Sequence, residues 1–342
     1  MESEAPKFPV SDVDSEIVRK YKPEFLSSGG ENYVYKIPDH PDIVVKANKI
    51  VMRNIVSTNR HAHQSLDNLS KQTERAVTDV ISEYDKQYKH IRQHFGREHT
   101  LNQRVYLSRV PVTEAMTGEI WDFDAGQDQP TALPNELWTM VSVQHITRQI
   151  GKNSTADFVS ENIEWRSAID EDAYIKVTDK LIFNKPPDGP LLEEDFFKIS
   201  SPSLKFLYDE SLKNQALREN LTDFVSKAIK YTAGTGEILD LSGNNNVIFT
   251  DIRNKPNYLL IDALYPLAYK KPIERAKVAF KQIADNSDER YQNLSRLGSC
   301  LNYVRTLNGM AMLLGISERL DITTETTRQL DTKRDILEQL RQ

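Results

Sequence analysis

Apolar positions along the chain follow two periods. Near the N-terminus they come in short β-favourable groups: Phe25 and Leu26, then Tyr33, Val34, Tyr35 and Ile37, then Ile43, Val44 and Val45. Gly29 and Gly30 separate the first two groups, and turn formers from Pro38 to Asp42 separate the next. That alternation predicts a glycine-bearing β-hairpin followed by a strand ending in Lys46. Over residues 66–95 the period lengthens. Leu66, Leu69, Ala76, Val77, Val80, Ile81, Tyr84, Tyr88, Ile91 and Phe95 fall on one face of a long helix, and Gly96 supplies a stop. Residues 103–112 and 137–146 read as strands that complete a small antiparallel sheet. They are joined by a linker containing Gly118, Gly126, Pro130 and Pro134.

The second half is mainly helical. Residues 150–202 show no clear period and carry acid-rich runs at 161–172 and 193–195, read as solvated surface or as the lining of a cleft for cationic ligands. Helical spacing returns over residues 203–231 through Leu204, Leu207, Leu217, Leu221, Phe224, Ala228 and Ile229. Val247 to Phe249 and Tyr258 to Ile261 are two short strands around the turn-forming stretch 251–257. A helix through Ile273, Ala276, Phe280 and Ile283 precedes a longer one running from Tyr291 to Leu314, with Asn286 and Glu289 before it and Gly315 after it. A final helix is expected over residues 323–340. Cys300 sits next to the stripe of the longer helix and reads as a buried structural thiol.

Composition narrows the classes. The 342 residues carry a formal net charge of −6, so there is no global basic footprint and nucleic acid is not the expected partner. One cysteine forbids an intramolecular disulfide and any cysteine metal cluster. The N-terminus is acidic where a secretory signal would be basic and then apolar, and no apolar run reaches membrane-spanning length. The expectation is a cytoplasmic protein with neither a membrane nor a nucleic-acid partner.

The stretch 237–266 carries the chemistry. It places Asp240, a run of asparagines ending at Asn246, and Asp262 around one hairpin. Phosphoryl transfer asks a protein for little beyond a carboxylate near the attacking hydroxyl and oxygen ligands that hold Mg²⁺ against phosphates. Asp240 suits the first task, and Asn246 with Asp262 the second, because magnesium prefers oxygen donors and keeps several waters. The competing account is a polar hairpin whose asparagines serve only its turns. Gly29 and Gly30 add a backbone that phosphates can approach, and Lys46 adds a point charge at the end of an apolar strand.

In this order, the glycine hairpin, strand lysine, long helix, helical region, Asp–Asn loop and strand-ending Asp resemble the protein-kinase-like fold. Within it, the aminoglycoside and choline phosphotransferase branch is the nearest likeness. Residues 27–37, SSGGENYVYKI, are similar to that branch's Gly-Gly-x-x-Asn-x-x-Tyr hairpin through Gly29, Gly30, Asn32 or Tyr33, and Tyr35. Lys46 matches its phosphate-binding lysine, Asp240 its catalytic-loop aspartate, Asn246 its metal asparagine and Asp262 its metal aspartate. The resemblance covers roughly residues 22–316. It implies an α+β, two-lobed fold: a nucleotide-binding lobe with a small antiparallel sheet and one long helix at 21–146 and a larger helical lobe at 147–316, with a flexible lead-in at 1–20 and a C-terminal helix at 317–342 expected outside it. It further implies ATP and Mg²⁺ as cofactors, a helix glutamate (Glu83, with Glu74 the alternative) paired with Lys46, a hinge at residues 143–146, and a hydroxyl of a small molecule as acceptor. Three departures stand out. Ile238 occupies the place of the family's loop histidine, Asn245 rather than Asn246 would restore the usual interval from Asp240, and Ala263 follows Asp262 where a phenylalanine is common. An inactive pseudokinase scaffold and a nucleotidyl transferase are therefore the alternative functions.

Overall fold

Period-two alternation decides the first sheet. Tyr33, Tyr35 and Ile37 on β2 (Asn32–Ile37), Ile43, Val45 and Ala47 on β3 (His40–Asn48), and Leu137, Val141 and Val143 on β5 (Glu136–His145) share one buried face. With β1 (Glu24–Ser28) and β4 (Asn102–Pro111) they form a five-stranded antiparallel sheet in the order β1-β2-β3-β5-β4. Register aligns Tyr33 with Ala47 and Val141, and Tyr35 with Val45 and Val143, so the apolar side chains stack in rows. The computed structural model describes residues 23–121, 133–145, 150–158, 176–177, 180–182, 193–241, 246–252, 255–262 and 290–321. These make an α+β architecture in which the chain divides into two compact units, Met1–His90 with Leu101–Arg148, and Ile91–Thr100 with Gln149–Gln342.

Two helices that the sequence reading left out cover the apolar face of the first unit. Helix α1 (Lys49–His61) contributes Met52 and Val56, and α3 (Glu114–Trp121) contributes Met116 and Ile120. Each such side chain removed from water is worth about 1.5–3 kcal/mol, so this layer adds several kcal/mol to the unit's stability. Asn48 begins α1 by accepting a hydrogen bond from Val51 N at 2.9 Å. Between these two helices in the chain runs α2 (Lys71–Phe95). It starts later than the apolar period suggests, because Ser70 Oγ accepts from Thr73 N at 3.1 Å and opens the helix there. It ends at Gly96, which takes φ 98° and donates its N–H to Arg92 O.

In the second unit β6 (Ile150–Thr155), β7 (Val247–Ile252) and β8 (Lys255–Leu260) form an antiparallel sheet in chain order. Both hairpin strands reach farther into the 251–257 stretch than its turn formers suggest. Helices α4 (Glu193–Phe197), α5 (Pro202–Lys213), α6 (Gln215–Thr235) and α7 (Arg290–Leu314) complete the described part. The helix expected over 203–231 is broken at Asn214, whose N–H closes α5 on Glu210 O and whose side chain opens α6 by accepting from Leu217 N at 3.2 Å. Phe224 of α6 meets Phe158 (5.2 Å between ring centroids), Phe249 (5.8 Å) and Tyr258 (5.5 Å), which fastens the helix to the sheet. Gly315 ends α7 with φ 74°, as expected, while Ile316 N donates to Ala311 O at 2.8 Å. The helices expected at 273–283 and 323–340, the acid-rich run 161–172 and the side chain of Cys300 lie outside the described residues. Among the described residues no helix is long and apolar enough to cross a membrane.

Candidate functional site

The candidate residues fall into two groups, one in each unit. In the first unit the glycine turn is a tight one: Ser28 pairs with Tyr33, and Gly29 N–H donates to Asn32 O at 2.9 Å. Neither glycine has the positive φ that would demand glycine. A methyl group at Gly30 would meet nothing within 4 Å, and one at Gly29 only Asn32 O at 3.6 Å. The turn could therefore hold side chains, and what glycine provides is a bare backbone at an exposed tip. Asn32 opens β2 opposite Asn48 at the end of β3.

Lys46 stands in register with Val34 on one side and Ser142 on the other. Strand alternation puts it with Val44 on the face opposite Val45 and Ala47, away from the layer made by α1 and α3. Ser142 Oγ, beside it, has no hydrogen-bond partner among the described residues. Glu83 is partly buried on α2, whereas Glu74 in the first turn is exposed. Of the two carboxylates, Glu83 is thus in the more protected setting.

A second lysine lies under the same turn, and the sequence reading did not single it out. Lys49 opens α1, and its side chain is 6% exposed. Its ammonium donates to Ser28 Oγ and to Glu119 Oε2, both at 2.6 Å, and lies 4.7 Å from the centre of the Tyr33 ring. Ser28 Oγ in turn donates to Glu119 Oε1 at 2.8 Å. The hydrogen bond from Lys49 holds the Glu119 carboxyl below its ordinary range, while burial, with Glu119 beside it, pushes the Tyr33 phenol up to about 12.

In the second unit the structure brings Asn246 and Asp262 together. Val247 pairs with Leu260, and just beyond that pair Asn246 O accepts from Ile261 N at 2.9 Å and from Asp262 N at 3.4 Å. Both residues therefore sit at the end of the hairpin away from the Ile252–Lys255 pair, and both are partly exposed. Asn245, the alternative ligand, lies outside the described residues. Asp240 is partly exposed between the buried Leu239 and Leu241, and Leu241 O accepts from Phe158 N at 3.2 Å. That bond ties the Asp240 segment to the chain leaving β6. Ile238, two residues earlier, is buried.

The donor set suits a hard cation. Among the described residues no group of three or more His, Cys, Asp or Glu side chains could hold a metal alone. One amide and one carboxylate at a hairpin end instead leave most of the coordination shell to waters and phosphate oxygens, which is how magnesium is usually held.

Strand β8, which leads to Asp262, is braced from the side. Tyr258 OH donates to Asp223 Oδ2 at 2.8 Å, Lys227 pairs with the same oxygen at 2.8 Å, and the His99 ring stacks on Tyr258 at 3.9 Å and 5°. Burial pushes Asp223 up, but the hydrogen bonds from Lys227 and Tyr258 outweigh it and hold the carboxyl below its ordinary range. Burial holds His99 below the ordinary histidine value. Asn257 Nδ2 adds a bond to Glu98 O at 2.8 Å, and Thr100 bridges to Leu260. Compared with known proteins, the chain matches no family model, no curated protein and no solved structure.

Proposed function

We propose that the chain is an ATP- and Mg²⁺-dependent phosphotransferase of protein-kinase-like fold, acting on a hydroxyl of a small molecule. The observation that carries the reading is the meeting of Asn246 and Asp262 at one hairpin end through the Asn246 carbonyl. The register of β7 and β8 brings the backbones of the two residues to neighbouring positions just beyond the Val247–Leu260 pair. Supporting it are the bare Gly29–Gly30 tip and Lys46 on the sheet face that α1 and α3 leave uncovered.

In this reading Asn246 and Asp262 would hold the magnesium ion, whose chemistry is to neutralise charge developing on phosphate oxygens. In the first unit the bare backbone at the tip of the glycine turn and the Lys46 ammonium would bind phosphates, with Glu83 orienting Lys46. Asp240 orients the acceptor hydroxyl or takes its proton as the hydroxyl attacks. The test is thermal unfolding with ATP, with and without Mg²⁺. ATP alone gives a small rise in Tm and Mg·ATP a clearly larger one, since a ligand of the native state stabilises by mass action. Lys46→Ala and Asp262→Asn each remove most of the rise. If both variants shift like wild type, the site is elsewhere.

A second reading, a scaffold that binds nucleotide without transferring it, is favoured by Ile238. The place of the family's loop histidine is taken by a side chain sealed in the core, 1% exposed, so no titratable group stands there.

A further inference from the structure

The glycine turn is fastened on both sides by one residue. Ser28, immediately before Gly29, accepts from Lys49 Nζ, and Glu31, immediately after Gly30, accepts from the Lys49 backbone N–H at 2.9 Å. The ammonium is held in place by Glu119 on α3 and by the Tyr33 ring below it. We propose that Lys49 is a positioning residue, which with Glu119 and Ser28 latches the Gly29–Gly30 turn to α1 and α3 and so presents its bare tip to a nucleotide in one fixed arrangement. The inference rests on the nucleotide-binding reading above.

The physical argument starts from cost. Burying an ammonium is expensive, and pairs of this kind often stabilise no better than an apolar residue of the same size. A long apolar side chain at position 49 would pack over Tyr33 and meet the demands of the core. It would leave the turn tied to α3 only through the direct Ser28–Glu119 hydrogen bond and give neither residue a charged donor. What the charge adds is directional attachment of the turn to two helices, with the tip left bare. A tip ordered in advance does not lose that freedom when a ligand binds, which raises affinity without a new contact.

Lys49→Met separates this role from simple packing. In the full-length variant, hydrogen exchange across residues 27–33 speeds up, while exchange in β3, β4 and β5 stays as in wild type. The Kd for Mg·ATP rises about tenfold, the order expected for having to fix one extra backbone residue on binding. Lys49→Arg, which keeps the charge, restores most of both. Unchanged exchange at the turn overturns the proposal. So does a looser turn with unchanged Mg·ATP affinity, which leaves Lys49 a structural residue only. If wild type itself binds no Mg·ATP, the phosphotransferase reading fails and the positioning role with it, an outcome visible before any variant is made. Should Lys49→Met not fold, Glu119→Gln reads the same two quantities from the exposed side of the pair.

Discussion

At the scale of single residues, the sequence exposes chemistry that a side chain carries on its own and hides chemistry that needs a distant partner. Asn246 and Asp262 stand out as candidates because the first immediately precedes an apolar strand and the second ends one. Lys49 does not stand out, since a lysine is normally solvent-exposed and the carboxylate that makes its burial tolerable, Glu119, is 70 residues away. That pair has a pH signature. The folded-state pKa of Glu119 is depressed, chiefly by Lys49, so its contribution to stability is present above the ordinary glutamate range and is lost as pH falls through the depressed value. The Tm difference between wild type and Glu119→Gln should accordingly be full near neutrality and vanish in acid; a gap that persists in acid removes the pair as its cause. A second prediction concerns Asp223. Its replacement by alanine leaves the buried Tyr258 hydroxyl without its acceptor, and should cost about 1–3 kcal/mol in urea unfolding. Asp223→Ala combined with Tyr258→Phe should cost less than the sum of the two single changes, because the second removes the group the first strands.

Elements with a long, regular period were readable, and those whose signal is short or interrupted were not. The long helix, the central hairpin, the helix closed by Gly315 and the strands of the first sheet all follow from spacing. Helix α1 carries Met52, Ile55, Val56 and Asn59 at helical intervals, but directly after a strand its apolar run blurs into the strand pattern. Helix α3 was masked by Gly118, a residue that usually marks a linker. The break between α5 and α6 was invisible because a single residue, Asn214, ends one helix and begins the next without disturbing the apolar spacing. Glycines within helices divide in the same way into those a contact requires and those it does not. At Gly309 on α7 an added methyl group would overlap the fully buried Phe196 ring, with even Cζ only 2.8 Å away. Gly309→Ala should therefore destabilise by about 1–3 kcal/mol despite alanine's better helix propensity. Gly234 on α6 has open space around it, and Gly234→Ala should be neutral or stabilise by up to about 1 kcal/mol. Chemical denaturation of the two variants side by side checks both signs.

For the whole molecule, the decisive question is whether the chain transfers a phosphoryl group or only binds nucleotide, and it turns on Asp240. The Gly29–Gly30 turn, Lys46, Asn246 and Asp262 would all serve binding; a carboxylate for the acceptor serves only transfer. The local structure is compatible with either. Leu239 and Leu241 are buried on either side of Asp240, and Leu241 ties the segment to the chain leaving β6. Asp240→Asn should leave Mg·ATP affinity within a few-fold of wild type, since nucleotide binding does not call on an acceptor-side carboxylate. In a phosphotransferase it should also lower turnover by about 10²–10⁴, the usual worth of general-base assistance. Asp262→Asn should instead damage affinity and turnover together. The measurement is ATP consumption against a panel of hydroxylated small molecules, cationic ones included, with protein substrates as control and the product analysed by mass. A phosphorylated product that fails to form with Asp240→Asn selects the transferase. An adenylated product would move the reading to nucleotidyl transfer. A wild type inert toward every acceptor, with Asp240→Asn binding nucleotide as wild type does, would leave the scaffold, in which Ile238 is the first trace of a site that no longer needs to move a proton.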